Sequence, residues 1–188
     1  MEARISASEL GRRPLPDLAA VEAALAAEAE KSRRQIVVLD DDPTGVQTVH
    51  DVSVYTDWTP ESIRRGFAEP GKLFFILTNS RGLTVAETTR VHREIARNVA
   101  DVAAELGREY LIVSRGDSTL RGHYPLETEL LADVFRKESG KPVDGEILCP
   151  YFKEGGRFTL GNVHYVKYGD ELVPCGQTEF AGDETFAL

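Results

Sequence analysis

Short runs of apolar, β-branched residues recur along the chain, and most are followed by a polar loop and then by an amphipathic stretch. The runs predict buried strands at residues 35–39, 72–77, 110–113 and 146–149, and a shorter run predicts one more strand at 52–56. Near-continuous apolar strands are typical of a parallel sheet covered on both faces. The alternation of strand, loop and helix therefore predicts an α/β fold with an open, mostly parallel, Rossmann-like sheet and flanking helices.

Helical periodicity is strongest at residues 84–106, where apolar side chains form one stripe. Thr84 and Glu87 are spaced as a capping box at its start, and Gly107 suits its end. Further helices are predicted at residues 15–34, from about residue 60, and at residues 125–137.

The pattern changes at both ends of the chain. Residues 1–12 carry no strong pattern and are expected to fray, and residues 1–34 are interpreted as a helical extension before a main domain at 35–188. After Pro150, Gly-containing turn signals separate short runs, which predicts a small β-hairpin appendage.

Composition narrows the classes of function. The 188 residues are 41% hydrophobic, enough for a core without metal or disulfide, so Cys149 and Cys175 are expected to be reduced thiols. The net charge of -9 argues against nucleic-acid binding, which needs Lys and Arg along the phosphates. Neither a membrane span nor a signal peptide is evident, and we expect a cytoplasmic protein.

Polar clusters follow three of the predicted strands, where ligands gather in open α/β sheets. The first cluster, at residues 40–45, begins with three adjacent carboxylates that repel one another. Binding of a metal ion or a polyol, or a role in proton transfer, would explain why they occur together. The alternative is an acidic turn or a helix cap. The second, at residues 78–81, contains Arg81, whose guanidinium can grip a substrate carboxylate or pair with one of the aspartates.

The third cluster, at residues 114–123, combines hydroxyls, two arginines, a carboxylate and two glycines. Glycines let backbone N–H groups approach an anion, so this loop suits a carboxylate or a phosphoryl group. We expect the three loops to form one pocket for an anionic polyol. Neither glycine-rich nucleotide-binding motif is present, so no nucleotide site can be identified.

Four motifs together resemble the four-carbon acid sugar kinases, formerly a domain of unknown function, some of whose members are labelled Hrp-dependent type III effectors. The motifs are Asp-Asp-Pro-Thr-Gly at 41–45, Asn-Ser-Arg at 79–81, Asp-Ser-Thr-Leu-Arg-Gly at 117–122 and Gly-Gly-Arg at 155–157. The resemblance covers about residues 35–180, and the order of the motifs is more specific than any one of them.

The resemblance implies an amino-terminal substrate domain that acts with a carboxyl-terminal domain binding ATP and Mg²⁺. The product would be the 4-phosphate of a threonate, erythronate or 3-oxo-tetronate type of acid. We expect the ATP domain to be missing from a truncated chain, and a homo-oligomer is possible. Asp42 and Asp117 are the candidate catalytic residues. The candidate substrate-binding residues are Asp41, Asp42, Thr44, Arg81, Arg115, Gly116, Asp117, Ser118, Thr119 and Arg121.

Two other readings remain open at this point. Asp40, Asp42 and Thr44, followed later by Thr78, fit the first motifs of a haloacid-dehalogenase-type Mg²⁺ phosphatase, although a matching later Lys and acidic pair are not found. The chain could instead be a sugar-acid-binding remnant without catalysis, so whether it is an enzyme by itself is undecided.

Overall fold

A computed structural model of the chain describes residues 2–12, 14–47, 49–116 and 122–182. The helices are α1 (Leu18–Lys31), α2 (Pro60–Phe67), α3 (Val85–Leu106) and α4 (Leu126–Ser139). The strands are β1 (Ile5–Ser6), β2 (Gln35–Asp40), β3 (Val54–Tyr55), β4 (Leu73–Leu77), β5 (Tyr110–Arg115), β6 (Arg157–Leu160), β7 (Val163–Tyr168) and β8 (Glu171–Pro174). The chain divides into an α/β unit within Arg33–Ser118 and Gly122–Glu146, and an antiparallel unit within Met1–Ser32 and Ile147–Leu188.

The α/β unit is built on a parallel sheet with the strand order β3-β4-β2-β5. Val37 in the central strand β2 pairs with Phe74 of β4 on one side and with Ile112 of β5 on the other. Non-consecutive strands lie side by side because a helix crosses over between parallel neighbours. The predicted α/β class and its parallel sheet are therefore confirmed.

The core of this unit lies between one face of the sheet and helices α2, α3 and α4. Phe74 and Ile76 of β4 and Ile95 of α3 are fully buried in it, and the cluster continues through α2 and α4. Each such side chain stabilises the fold by about 1.5–3 kcal/mol. On β5, however, Leu111 is 48% exposed and Val113 is 39% exposed, so the expected burial on both faces is wrong for that strand.

Helix α3 begins and ends where the sequence predicts. Thr84 accepts a hydrogen bond from the Glu87 N–H, and the Glu87 carboxylate accepts one from the Thr84 N–H, which completes the capping box. Gly107 ends the helix in the left-handed conformation at φ 60°. Nowhere in the described ranges is a helix both long and apolar enough to cross a bilayer.

The antiparallel unit is larger than the predicted hairpin. Strands β6, β7 and β8 form a meander, and β1 pairs with β8 at Ile5 opposite Leu172. The expectation that residues 1–12 fray is therefore wrong, because a two-residue strand has too few positions to show a periodicity. Gly161-Asn162 forms the tight turn between β6 and β7, with both residues at positive φ.

Two further predictions need correction. Residues 146–149 form no strand, and Ile147 is 94% exposed. An apolar run favours an extended backbone, but in the described sheets no strand pairs with this segment. Helix α1 is shorter than the predicted 15–34, and none of its residues is buried.

Candidate functional site

The carboxyl ends of β2, β4 and β5 meet at one edge of the parallel sheet. Asp40, the last residue of β2, stands opposite Leu77 and Arg115, the last residues of the two neighbouring strands. The backbone continues these contacts beyond the strands, because the Thr78 N–H donates to the Asp40 carbonyl (2.8 Å) and the Arg81 N–H donates to the Asp41 carbonyl (3.3 Å). The loop after β2 and the loop after β4 therefore lie together, with the start of the loop after β5 beside them.

Arg81 holds the two aspartates of the first loop. Its Nε donates to Asp41 Oδ2 (3.1 Å) and its Nη2 to Asp41 Oδ1 (2.8 Å), which is the bidentate geometry of a strong ion pair. Its Nη1 lies 3.2 Å from Asp42 Oδ2. The side chain of Asp41 is only 3% exposed, against 17% for Arg81 and 24% for Asp42. Of the two roles left open for Arg81, the structure shows the ion pair with the aspartates.

Asp42 also begins a tight turn. Its Oδ1 accepts a hydrogen bond from the Thr44 N–H (2.9 Å) and lies against the Thr44 hydroxyl, and its carbonyl accepts from the Gly45 N–H (3.1 Å). This is an Asx turn, which Asp favours because its short side chain reaches the backbone two residues on. Asp42 is therefore partly exposed, with one oxygen engaged in the turn and the other next to Arg81.

Asp40 lies beneath this turn. It is 1% exposed, and its carboxylate occupies the space that a side chain at position 45 would need, which explains the glycine there. Burial raises the pKa of Asp40 to about 6, partly offset by Arg115, whose Nη1 lies 3.5 Å from Asp40 Oδ1. Arg115 itself is partly exposed, at 36% of its side chain.

A buried polar cluster next to the site was missed by the sequence analysis. Ser80 Oγ lies 3.1 Å from Glu127 Oε1 and 3.0 Å from Thr78 Oγ1, and His92 Nε2 lies 3.5 Å from Glu127 Oε1. All four residues are at most 4% exposed. They come from the turn after β4, from α3 and from α4. Residues that meet only through the packing of separate helices show no local pattern in the sequence.

The structure brings Asp41, Asp42, Thr44, Arg81 and Arg115 to one sheet edge. Gly116 follows directly in the chain. Asp117, Ser118, Thr119 and Arg121 lie outside the described residues, and their roles stay predictions. The Gly-Gly-Arg motif belongs to the antiparallel unit, at the start of β6.

The side chains of the site suit a small polar anion. Carboxylates accept hydrogen bonds from sugar hydroxyls, and guanidinium groups donate to a carboxylate. Among the described residues, no group of three or more His, Cys, Asp or Glu side chains could hold a metal ion, and Asp41 and Asp42 are paired with Arg81.

Comparisons with known proteins agree with this picture. The family model described as a sugar-binding N-terminal domain matches residues 36–188. A crystal structure of a domain of unknown function, DUF1537, from Bordetella bronchiseptica matches with a TM-score of 0.57 and 24% identity, over 81% of this chain and 37% of that one. That protein was crystallised with bound citrate as a domain-swapped dimer.

The structural match shows the shared fold, and this chain spans just over a third of that relative. No curated protein matches the chain. The family model, by contrast, covers most of the sequence and includes both loops that carry Asp41 and Arg81. The chain therefore belongs to the family of sugar-binding N-terminal domains, which confirms the predicted family.

Proposed function

We propose that this chain is the substrate-binding part of an ATP-dependent kinase that phosphorylates the 4-hydroxyl of a four-carbon acid sugar. The observation that carries the proposal is the meeting of Asp41, Asp42, Arg81 and Arg115 at the carboxyl end of a parallel sheet in a sugar-binding domain. The bound citrate of the Bordetella protein supports a preference for small carboxylates, because citrate also carries carboxylate and hydroxyl groups.

The burial of each group suggests how such an acid would bind. Asp41 is nearly inaccessible and accepts two hydrogen bonds from Arg81, while Asp42 lies 3.2 Å from Nη1 of that guanidinium and is more exposed. A substrate carboxylate would therefore displace Asp42, not Asp41, and take its place on Nη1. The displaced Asp42 carboxylate would then accept a hydrogen bond from a sugar hydroxyl.

Arg115 would supply the second positive charge. Its side chain is partly exposed and lies beside the buried Asp40. Two guanidinium groups and an acceptor carboxylate at one sheet edge match a ligand that carries both a carboxylate and hydroxyl groups. In the proposed kinase, ATP and Mg²⁺ would be held by a carboxyl-terminal domain. Asp117 stays a candidate base together with Asp42.

The phosphatase alternative is less well supported. It needs the first aspartate of its motif as an accessible nucleophile. Asp40 would be that residue, yet its carboxylate is 1% exposed and lies under Gly45. A sugar-acid-binding protein without catalysis uses the same site and is separated from the kinase only by experiment.

Calorimetric titration of the chain with D- and L-threonate, D- and L-erythronate, and the neutral polyol threitol tests the binding site. We expect at least one acid to bind and threitol not to bind, because the carboxylate supplies the contact to the guanidinium groups. Arg81→Lys should weaken binding by about tenfold or more, since one ammonium group cannot keep both hydrogen bonds to Asp41 and also donate to the acid. The matched control is Arg90→Lys on α3, where the side chain is 68% exposed, and it should bind normally.

A protein that carries the proposed carboxyl-terminal domain together with this chain tests the kinase step. Formation of ADP from added ATP that depends on the acid that binds, and that is lost in the Asp42→Asn variant, supports the kinase. Binding of the acid without formation of ADP supports the non-catalytic alternative, and absence of binding to every acid contradicts the proposal.

Self-association is a further part of the proposal. The Bordetella protein forms a domain-swapped dimer, and the exposed apolar residues of α1, such as Leu18 and Leu25, offer surface for a contact. Light scattering of the purified protein at several concentrations would show whether this chain dimerises.

A further inference from the structure

A chain of buried polar groups runs from helix α3 to the end of β2. It starts at His92, whose Nδ1 donates to the Thr88 carbonyl (3.0 Å), and continues through Glu127 of α4 to Ser80. It then reaches Thr78, whose Oγ1 lies 2.9 Å from the Asp40 carbonyl oxygen. The chain therefore joins two helices to the backbone of both loops that carry the aspartates and Arg81.

The burial of these groups needs a physical reason. An ionisable side chain in a core costs free energy unless its polar atoms are satisfied, and an apolar residue would pack α4 against α3 at lower cost. Glu127 is 2% exposed and Ser80 is 0% exposed. What the carboxylate adds, compared with an apolar side chain, is a fixed acceptor for the Ser80 hydroxyl.

Ser80 is covalently next to the site. It precedes Arg81, and it follows Asn79, which holds the left-handed conformation at φ 54° and ψ 29°. That conformation is uncommon for a residue with a side chain and persists where the surroundings fix it. The Ser80 N–H also donates to Thr78 Oγ1 (3.3 Å), so hydrogen bonds hold both the backbone and the side chain of Ser80. Its position decides the direction in which the Arg81 side chain leaves the turn.

We propose that Glu127 is a positioning residue for the sugar-acid site. Its hydrogen bond with Ser80 keeps the neighbouring Arg81 in place to bond Asp41. The ligand-binding part of this inference rests on the proposed function. The geometric part does not, because it concerns only the Arg81–Asp41 pair that the structure shows. A residue that only supports the core would affect stability and leave the Arg81–Asp41 geometry unchanged.

The test uses three variants of the chain and one control. Glu127→Ala and Ser80→Ala remove one partner each of the Ser80–Glu127 hydrogen bond, while Glu127→Gln keeps an oxygen that can accept it. Val134→Ala is the matched control, because Val134 lies on the same helix, is 8% exposed and belongs to the apolar core, away from the polar chain. Urea unfolding measures stability for all four.

The decisive readout is the Arg81 Nε–H signal in ¹H–¹⁵N spectra, recorded well below the unfolding temperature. In the wild type, Arg81 Nε donates this proton in a hydrogen bond to Asp41 Oδ2, so the proton should exchange slowly with solvent. We expect Ser80→Ala and Glu127→Ala to shift the signal and speed its exchange, Glu127→Gln to restore it, and Val134→Ala to leave it unchanged despite lower stability. If Glu127→Ala does not fold, Ser80→Ala decides the outcome. An unchanged Arg81 signal in Ser80→Ala overturns the inference.

Affinity for the acid gives the second readout. The loss of one buried hydrogen bond to a charged group should weaken binding by about tenfold in Ser80→Ala, with little change in Val134→Ala. Equal affinities in these two variants overturn the inference. If the wild type binds no acid, the proposed function fails, while the Arg81 signal still tests the positioning role.

Discussion

Replacement of Arg81 with alanine removes the partner of a buried carboxylate. Asp41 is 3% exposed and accepts two hydrogen bonds from the Arg81 guanidinium, at 2.8 Å and 3.1 Å. Breaking a buried ion pair by removing one partner costs about 3–5 kcal/mol, because the remaining charge stays away from water. Arg81 is 17% exposed, so water can partly reach the gap, and we expect a loss near the lower figure, about 3 kcal/mol.

Urea unfolding at pH 7, followed by far-ultraviolet circular dichroism, measures this loss. With a slope of about 2 kcal/mol per molar urea, a loss of about 3 kcal/mol lowers the midpoint by roughly 1.5 M. Arg90→Ala is the control, since Arg90 is 68% exposed and 3.6 Å from Glu94, and it should cost about 0.5 kcal/mol or less. An Arg81→Ala variant no less stable than this control would refute the buried pair as described.

The asymmetry of the pair gives an internal check. Asp41→Asn removes the buried charge and leaves Arg81, the more exposed partner, in contact with Asp42. The charge that remains is therefore better solvated than in Arg81→Ala, and the loss of stability should be smaller. The opposite order would mean that Asp41 is less buried than the structure shows.

Three further predictions concern single positions. Gly45→Ala should cost about 2 kcal/mol, because the new methyl group overlaps the Asp40 carboxylate, whereas Gly82→Ala, with open space around it, should change stability by less than about 0.5 kcal/mol in the same urea titrations. Folding raises the pKa of Asp40 from 3.8 to about 6, so the contribution of Asp40 to folding stability is greatest below its unfolded pKa and is lost as the pH rises through 6. Between pH 4.5 and 7.5, the stability of Asp40→Asn relative to wild type should therefore rise by roughly 2 kcal/mol. A stability difference that stays constant over this pH range would contradict the buried carboxylate. Thr84→Ala should lower the free energy of unfolding by about 1 kcal/mol in differential scanning calorimetry through loss of the capping box, and an unchanged melting temperature would contradict this.

Local sequence signals predicted most of the α/β unit. The apolar runs that became β2 and β4 are long enough for periodicity to be read, and Thr84 with Glu87 marks the start of α3 within one residue. The strand that pairs Ile5 with Leu172 was not predicted, because its partner lies far along the chain and only two residues take part. The run at 146–149 shows the reverse error, since an apolar pattern does not ensure a neighbouring strand.

The sequence predicted that the candidate residues of the three loops converge, but not the contacts among them. Parallel strands bring their carboxyl ends to one edge, so the convergence of Asp42, Arg81 and Arg115 followed from the order of strands alone. The pairing of Arg81 with both aspartates depends on side-chain directions that spacing does not fix. The role proposed for Glu127 depends on how α4 packs against α3, and a glutamate near the start of a helix is otherwise an ordinary first-turn acid.

The proposed binding site is best tested by a crystal structure of the chain grown with the four-carbon acid that binds most tightly. We expect the acid to lie at the ends of β2, β4 and β5, with its carboxylate on Arg81 or Arg115 and Asp42 turned toward a hydroxyl. Asp41 should keep its two hydrogen bonds to Arg81. An acid bound elsewhere on the molecule, with the Asp41, Asp42 and Arg81 side chains unchanged and without contact to it, would show that the site is wrong.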